Sequence, residues 1–164
     1  MEHRDICRVV TSDSIINGEK PDKAKEYFES KSRELGYSPS SVYTRNSLVE
    51  IRDAVRRLLA RGCPVIIVTG GTGASKWDLS VEAVRPLAEK ELPGVGDLHR
   101  VISFQQGVSS AWASRVTGFV SGRSLIFVIP GNPDALRVLF DIVGGKLGHV
   151  LSELAGEKVH SRKV

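Results

Sequence analysis

At 164 residues, with 41% apolar and 26% charged side chains, the chain has the size and composition of one globular domain with a single substantial core. Its net charge of +4 comes from Lys and Arg interleaved with acids, which argues against nucleic acid as a partner and fits a small anionic ligand. No apolar stretch is long enough to span a bilayer, and Met1-Glu2-His3-Arg4-Asp5 lacks the apolar run of a signal peptide, so a cytoplasmic protein without a membrane partner is expected.

Cys7-Arg8-Val9-Val10-Thr11-Ser12 reads as a first strand, followed by a polar loop through Asn17, Gly18 and Pro21. Asp22 is expected to cap a helix with apolar positions Ala24, Tyr27, Phe28 and Leu35, ended by Gly36. Ser40 to Thr44 is a short candidate strand. Ser47-Leu48-Val49-Glu50 has the form of a capping box, and Leu48, Ile51, Val55 and Leu58 then mark one face of a helix that Gly62 ends. Pro64 to Thr69 is a β-branched run that reads as a parallel strand buried on both faces. Cys7 and Cys63 sit at strand edges and are expected as reduced core residues, and no Cys/His spacing fits a transition metal. The scarcity of Met, Gln and Asn is a compositional mark of heat adaptation.

The third strand runs into Gly70-Gly71-Thr72-Gly73-Ala74-Ser75-Lys76-Trp77-Asp78. Glycines permit a sharp turn and let backbone N–H groups approach an anion, and ligands of open α/β sheets bind beyond the carboxyl ends of the strands. The spacing fits neither a Walker loop, whose glycine is missing at the right place before Lys76, nor a dinucleotide fingerprint, where Lys76 stands in place of the third glycine. A tight strand-to-helix turn without a ligand is the alternative. Further on, Leu92 to Phe104 carries apolar residues without a clear period. Thr117 to Val120 and Ser124 to Ile129 flank Ser121-Gly122-Arg123 as an antiparallel hairpin. Pro130-Gly131-Asn132-Pro133 is a second strand-to-helix turn, with Asn132 as cap and Leu136, Leu139, Phe140 and Val143 on the buried face. The alternation predicts a three-layer α/β/α domain over 1–156, its mostly parallel sheet carrying one antiparallel strand, and a polar tail over 157–164.

With these segments in order, the chain resembles the MoaB/MogA family of molybdenum cofactor biosynthesis, and MoaB more than MogA, over roughly residues 5 to 155. The resemblance rests on Thr69 to Asp78, Ser80 to Leu87, Leu92 to Gly96, Gly107 to Arg115 and Pro130 to Pro133. It implies adenylylation of molybdopterin by Mg²⁺-ATP, giving adenylylated molybdopterin and pyrophosphate, with the product handed to a partner enzyme that inserts molybdate or tungstate. It also implies a homotrimer or hexamer, and the segment Leu92 to Phe104 is expected to pack on a neighbouring subunit.

Two polyanions must meet in such a reaction, so their repulsion has to be offset by N–H groups, cations and a metal. The Gly70, Gly71, Thr72, Gly73 turn supplies amides, with Thr72 and Ser75 as hydroxyl donors. Asp78 is the expected catalytic acid and Mg²⁺ ligand, since that ion takes one or two carboxylates plus phosphate oxygens. Glu82, one helical turn on, either supports it or complements the helix dipole. The resemblance also places Thr11, Ser12 and Asp13, then Ser110 and Ser114, then Pro130, Gly131 and Asn132 around the pterin. Three positions depart from the family pattern. Asn46 stands where relatives carry a second acid, Trp77 replaces an Arg beside the matched acid, and Asp22-Lys23-Ala24-Lys25 replaces Asp-x-Ser-Gly. A molybdopterin-binding or carrier protein without efficient catalysis is therefore the alternative reading.

Overall fold

Strands and helices alternate up to the hairpin at Ser121-Gly122-Arg123 in a computed structural model that describes residues 4–157. Six strands form one sheet: β1 (Asp5–Thr11), β2 (Ser38–Thr44), β3 (Val65–Thr69), β4 (Lys90–Leu92), β5 (Thr117–Ser121) and β6 (Ser124–Ile129). Their order is β2-β1-β3-β6-β5-β4. The pairs β1 with β2, β1 with β3 and β3 with β6 are parallel, whereas β5 runs against both of its neighbours. The sheet thus has one opposed strand, as the hairpin implies. The short β4 had no sequence signal, since Lys90 and Glu91 interrupt any apolar alternation. The polar tail expected over 157–164 lies outside the described residues except for Glu157.

The two faces of the sheet are covered by different helices. Even positions of β1 and odd positions of β3 and β6 pack Ile6, Ile67, Phe127 and Ile129 against Phe28 of α2 (Lys25–Glu34) and Leu136, Leu139 and Phe140 of α6 (Pro133–Val143). The alternate positions pack Val9, Ile66, Val68 and Ile126 against Ile51, Val55 and Leu58 of α3 (Leu48–Ala60) and Val81 and Val84 of α4 (Ser80–Val84). All five residues of β3 are buried, as a central parallel strand between two helical layers requires. The remaining helices are α1 (Asp13–Ile16), α5 (Pro93–Gln105) and α7 (Leu147–Leu154).

Three local expectations are corrected. Asp22 does not cap α2, whose N-cap is Ala24 without a side-chain bond; the Asp22 carboxylate instead pairs with Arg8. Leu92 to Phe104 is mostly helix α5, and its period was hidden because its packing is inverted. Its buried inner positions are Gly96 and His99, while Leu98, Val101 and Phe104 are exposed. Gly96 lies so close to the Val116 carbonyl that a Cβ would sit 1.9 Å from it. His99 Nε2 donates to Ala135 O at 2.9 Å, leaving Nδ1 to accept from Ser103. Third, Cys7 and Cys63 form a disulfide, with Cα atoms 6.7 Å apart and exposures of 2% and 3%. Both face the α3 layer, and β1 pairs with β3 so that Cys7 lies opposite Ile66, three residues after Cys63. That register is a tertiary property, invisible in the spacing of the two cysteines.

The capping box at α3 forms by half. Ser47 accepts from the Glu50 N–H, but Glu50 takes the N–H of Arg45 instead of that of Ser47.

Candidate functional site

From β1 the chain passes to β2 on one side, and it then returns through α3 to β3 on the other. This reversal makes the carboxyl ends of β1 and β3 the topological switch point, where neighbouring connections diverge and leave a crevice. Thr11, Ser12, Gly70, Gly131 and Asn132 meet there around a cavity of about 650 Å³. Gly70, at φ +98°, is required by close approach: a Cβ would lie 2.6 Å from Thr11 Oγ1 and 2.8 Å from Thr11 O. Its own N–H donates to Ile129 O at 2.8 Å, which ties the ends of β3 and β6 together. Thr11 Oγ1 donates to Thr69 O at 2.9 Å. Ser12 Oγ accepts from Ile15 N and caps α1, and Asn132 Oδ1 accepts from Ala135 N at 2.8 Å and caps α6. Asn132 is a helix cap at the cavity wall, and its Nδ2 keeps no partner among the described residues.

The cavity floor holds a charge that the strand pattern did not announce. Arg8, on β1, is 1% exposed and its guanidinium grips Asp22 at 3.0 and 2.5 Å. Its Nε donates to Ser41 Oγ at 3.2 Å, and its plane lies 5.0 Å from the Phe28 ring centroid. Tyr43 donates to the same carboxylate at 2.7 Å. Burial pushes the Asp22 carboxyl up, but the hydrogen bonds from Arg8 and Tyr43 outweigh it and hold the group below its ordinary value.

A second cluster sits beyond the glycine turn, on the α4 side. Asp78 Oδ2 accepts from Ser75 Oγ at 2.6 Å and from Ser75 N at 3.0 Å. The Ser75 hydroxyl chiefly holds the Asp78 carboxyl below its usual range against the effect of burial, helped by the Ser75 and Gly73 backbone and by Arg115. A Cβ on Gly73 would lie 2.7 Å from that carboxylate, so the turn closes tightly on it. Arg115, for which the sequence suggested no role, is the fastener. Its Nε donates to Gly73 O at 2.8 Å, its Nη2 to Asp78 O at 2.9 Å, its backbone N to Thr72 O at 2.8 Å, and its guanidinium pairs with Glu82. Glu82 is thus an ion-pair partner more than a dipole complement, and Arg115 lowers its carboxyl. The only sequence signal was that a cation closes the serine-rich segment from Gly107 to Arg115.

The other expected residues fall around these two clusters. Asn46 lies between them and β2: its N–H donates to Asp13 Oδ1 at 3.1 Å and its Nδ2 to Trp77 O at 2.5 Å. Position 46 therefore borders the Asp78 loop. Thr72 is buried, and the N–H groups of Gly71 and Thr72 have no partner among the described residues. Ser114 adjoins Arg115, while Ser110 is exposed at the turn Ala111–Ala113 and lines neither cluster. Pro130 precedes Gly131 without lining the cavity. Buried oxygens of Thr44, Asn46, Ser80 and Ser114 have no hydrogen-bond partner among the described residues, and they flank this one edge of the sheet. No group of three or more Asp, Glu, His or Cys fit to cage a metal occurs among the described residues. No helix among them is long and apolar enough to cross a membrane.

Comparison with known proteins gives the same assignment at three levels. The family described as "Probable molybdopterin binding domain" matches residues 7–149. Molybdenum cofactor biosynthesis protein B of Bacillus anthracis is 34% identical over 152 residues, covering 90% of this chain and 89% of that protein. A molybdopterin biosynthesis protein from Mycobacterium abscessus superposes with a TM-score of 0.86 at 25% identity, over 96% of this chain and all of that one. The molybdopterin biosynthesis enzyme MoaB from Thermus thermophilus gives 0.78 at 28% identity, over 93% and 96%. The fold, the switch-point cavity and these matches agree: the chain belongs to the MoaB/MogA family of molybdenum cofactor biosynthesis proteins.

Proposed function

We propose that this chain binds molybdopterin at the switch-point cavity and adenylylates it with Mg²⁺-ATP. An oxygen of the pterin's terminal phosphate attacks the α-phosphorus of ATP, the new P–O bond forms, and the bond to pyrophosphate breaks. The observation that carries this reading is a glycine turn that starts at the cavity wall with Gly70, continues through unpartnered N–H groups at Gly71 and Thr72, and closes on an ionised Asp78. The amides face the charge of converging phosphates without reorganising, which is where electrostatic catalysis is most effective. Arg115 fixes the turn that presents them. One ionised carboxylate fits a magnesium ion that arrives on the nucleotide and keeps phosphate oxygens among its ligands. When bound, that ion neutralises phosphate charge; the chain's part is to orient it through Asp78. The working unit is residues 1–156, as a homotrimer or a pair of trimers, with the exposed Leu98, Val101 and Phe104 of α5 as the surface that a neighbouring copy covers. Product release to a molybdate- or tungstate-inserting enzyme completes the role.

Asp78→Asn tests the assignment. Product formation should fall on the order of 10²–10³-fold, while affinity for molybdopterin stays within a few-fold, because the pterin is held by other contacts. Unchanged turnover in this variant would remove Asp78 from the reaction. A second reading, a molybdopterin carrier without efficient turnover, is favoured by Asn46: it brings no charge, and its amide is already engaged with the Trp77 carbonyl.

A further inference from the structure

Two lysines that line the cavity, Lys20 and Lys23, belong to neither cluster described above. They lie on the segment between α1 and α2, and neither has an acidic partner among the described residues. By contrast, Lys25 and Lys31, just beyond, are paired with Glu29 and Glu34. The charged side chains lining the cavity are Arg8, Lys20, Lys23 and Asp22. Asp22 neutralises Arg8, so the two lysines leave the wall with an uncompensated charge of two. The N-terminus of α6, an 11-residue helix, opens on the same cavity at Asn132 and Pro133 and adds the positive end of its dipole.

The segment that carries these lysines is also held in place. The Lys20 N–H donates to Ser14 O at 3.2 Å and that of Glu19 to the same oxygen at 2.8 Å. Asp22, between the two lysines in sequence, is locked by Arg8 from β1 and Tyr43 from β2. A fully buried arginine in the middle of a parallel strand is a poor stabiliser, because desolvating both charges consumes most of their attraction. What it provides here is position: it anchors an exposed loop to the sheet at one point. A pinned loop holds its cations over the cavity with less ordering left for binding to supply.

We propose that Lys20 and Lys23, positioned by the Arg8–Asp22–Tyr43 lock, form a phosphate-recognising subsite of the cavity, which selects a phosphorylated over a non-phosphorylated ligand. The inference rests on the molybdopterin reading for the identity of that ligand, whose terminal phosphate is the group to be recognised; the triphosphate of ATP offers the same chemistry.

The test compares wild type, the Lys20→Ala/Lys23→Ala double variant and Lys25→Ala. Each is titrated with molybdopterin, its dephosphorylated form, ATP and inorganic pyrophosphate at two salt concentrations. The double variant should lose roughly fivefold in molybdopterin affinity per lysine and much of its salt dependence, with the dephosphorylated pterin bound as before. Lys25→Ala, which removes the same charge outside the cavity wall, should match wild type. If the loss falls on ATP and spares molybdopterin, the subsite stands and the phosphate it reads is the nucleotide's. If wild type binds neither pterin but binds pyrophosphate, and the double variant does not, the subsite stands while the molybdopterin reading fails. Wild-type affinity of the double variant for all the phosphorylated ligands and pyrophosphate, or an equal loss in Lys25→Ala, would overturn the proposal.

Discussion

Reducing the Cys7–Cys63 disulfide should destabilise the protein by an amount that follows from the loop it closes. The two cysteines are 56 residues apart in sequence. Loop-closure entropy for that length is about 14 cal/mol/K, or about 4 kcal/mol at 25 °C, added to the stability of the oxidised form through its constrained unfolded state. For a domain of this size each kcal/mol moves Tm by about 2–4 °C, so reduction should lower the midpoint by about 8–16 °C. The sulfurs lie under α3, at 2% and 3% exposure, so reductant reaches them only when the structure opens. The assay is thermal melting by circular dichroism with and without a phosphine reductant, after unfolding and refolding under each condition. It is paired with thiol titration in denaturant. Two free thiols in protein purified without reductant, or identical midpoints for the two forms, would refute the reasoning.

The remaining expectations concern charge, the second acid and assembly. Because the folded Asp22 carboxyl is held below its ordinary value by Arg8 and Tyr43, the stability it contributes is present above the pH at which the unfolded group titrates. It is lost as pH falls through the lowered folded value; acid titration of wild type against Asp22→Asn should show the variant with a flatter limb below about pH 4, and parallel limbs would deny the pair this role. Asn46→Asp should raise turnover if the missing acid limits the reaction, and create it if the wild type is only a carrier. No effect in a folded variant would mean that a charge at this position does not reach the reacting groups. Sedimentation should show a trimer or hexamer, and Leu98→Glu with Phe104→Glu should dissociate it by placing unpaired charge in a buried face. A monomeric wild type at micromolar concentration would contradict the assembly.

What could be read from the sequence was whatever local pattern dictates. The Val65 to Val68 run announced a central strand, and the glycines after it announced a turn against neighbouring backbone, as the Thr11 contact with Gly70 shows. Asn132 and Ser47 marked helix starts because a cap bonds three residues ahead. What could not be read depended on partners distant in sequence. The disulfide requires the register of β1 on β3; Asp22 looked like a cap until Arg8, 14 residues earlier, claimed its carboxylate. Helix α5 hid because Gly96 and His99, neither a core former by composition, fill its inner side. Arg115 escaped notice because its work is done on carbonyls 37 and 42 residues away.

The central claim, adenylyl transfer at this cavity, is tested most directly by incubating purified protein with molybdopterin and Mg²⁺-ATP and resolving the products by mass. Adenylylated molybdopterin and pyrophosphate should form together in equal amounts, only with the metal present, and should be lost in Asp78→Asn. Molybdopterin bound at the cavity without any adenylylated product would contradict the claim and leave the chain a carrier.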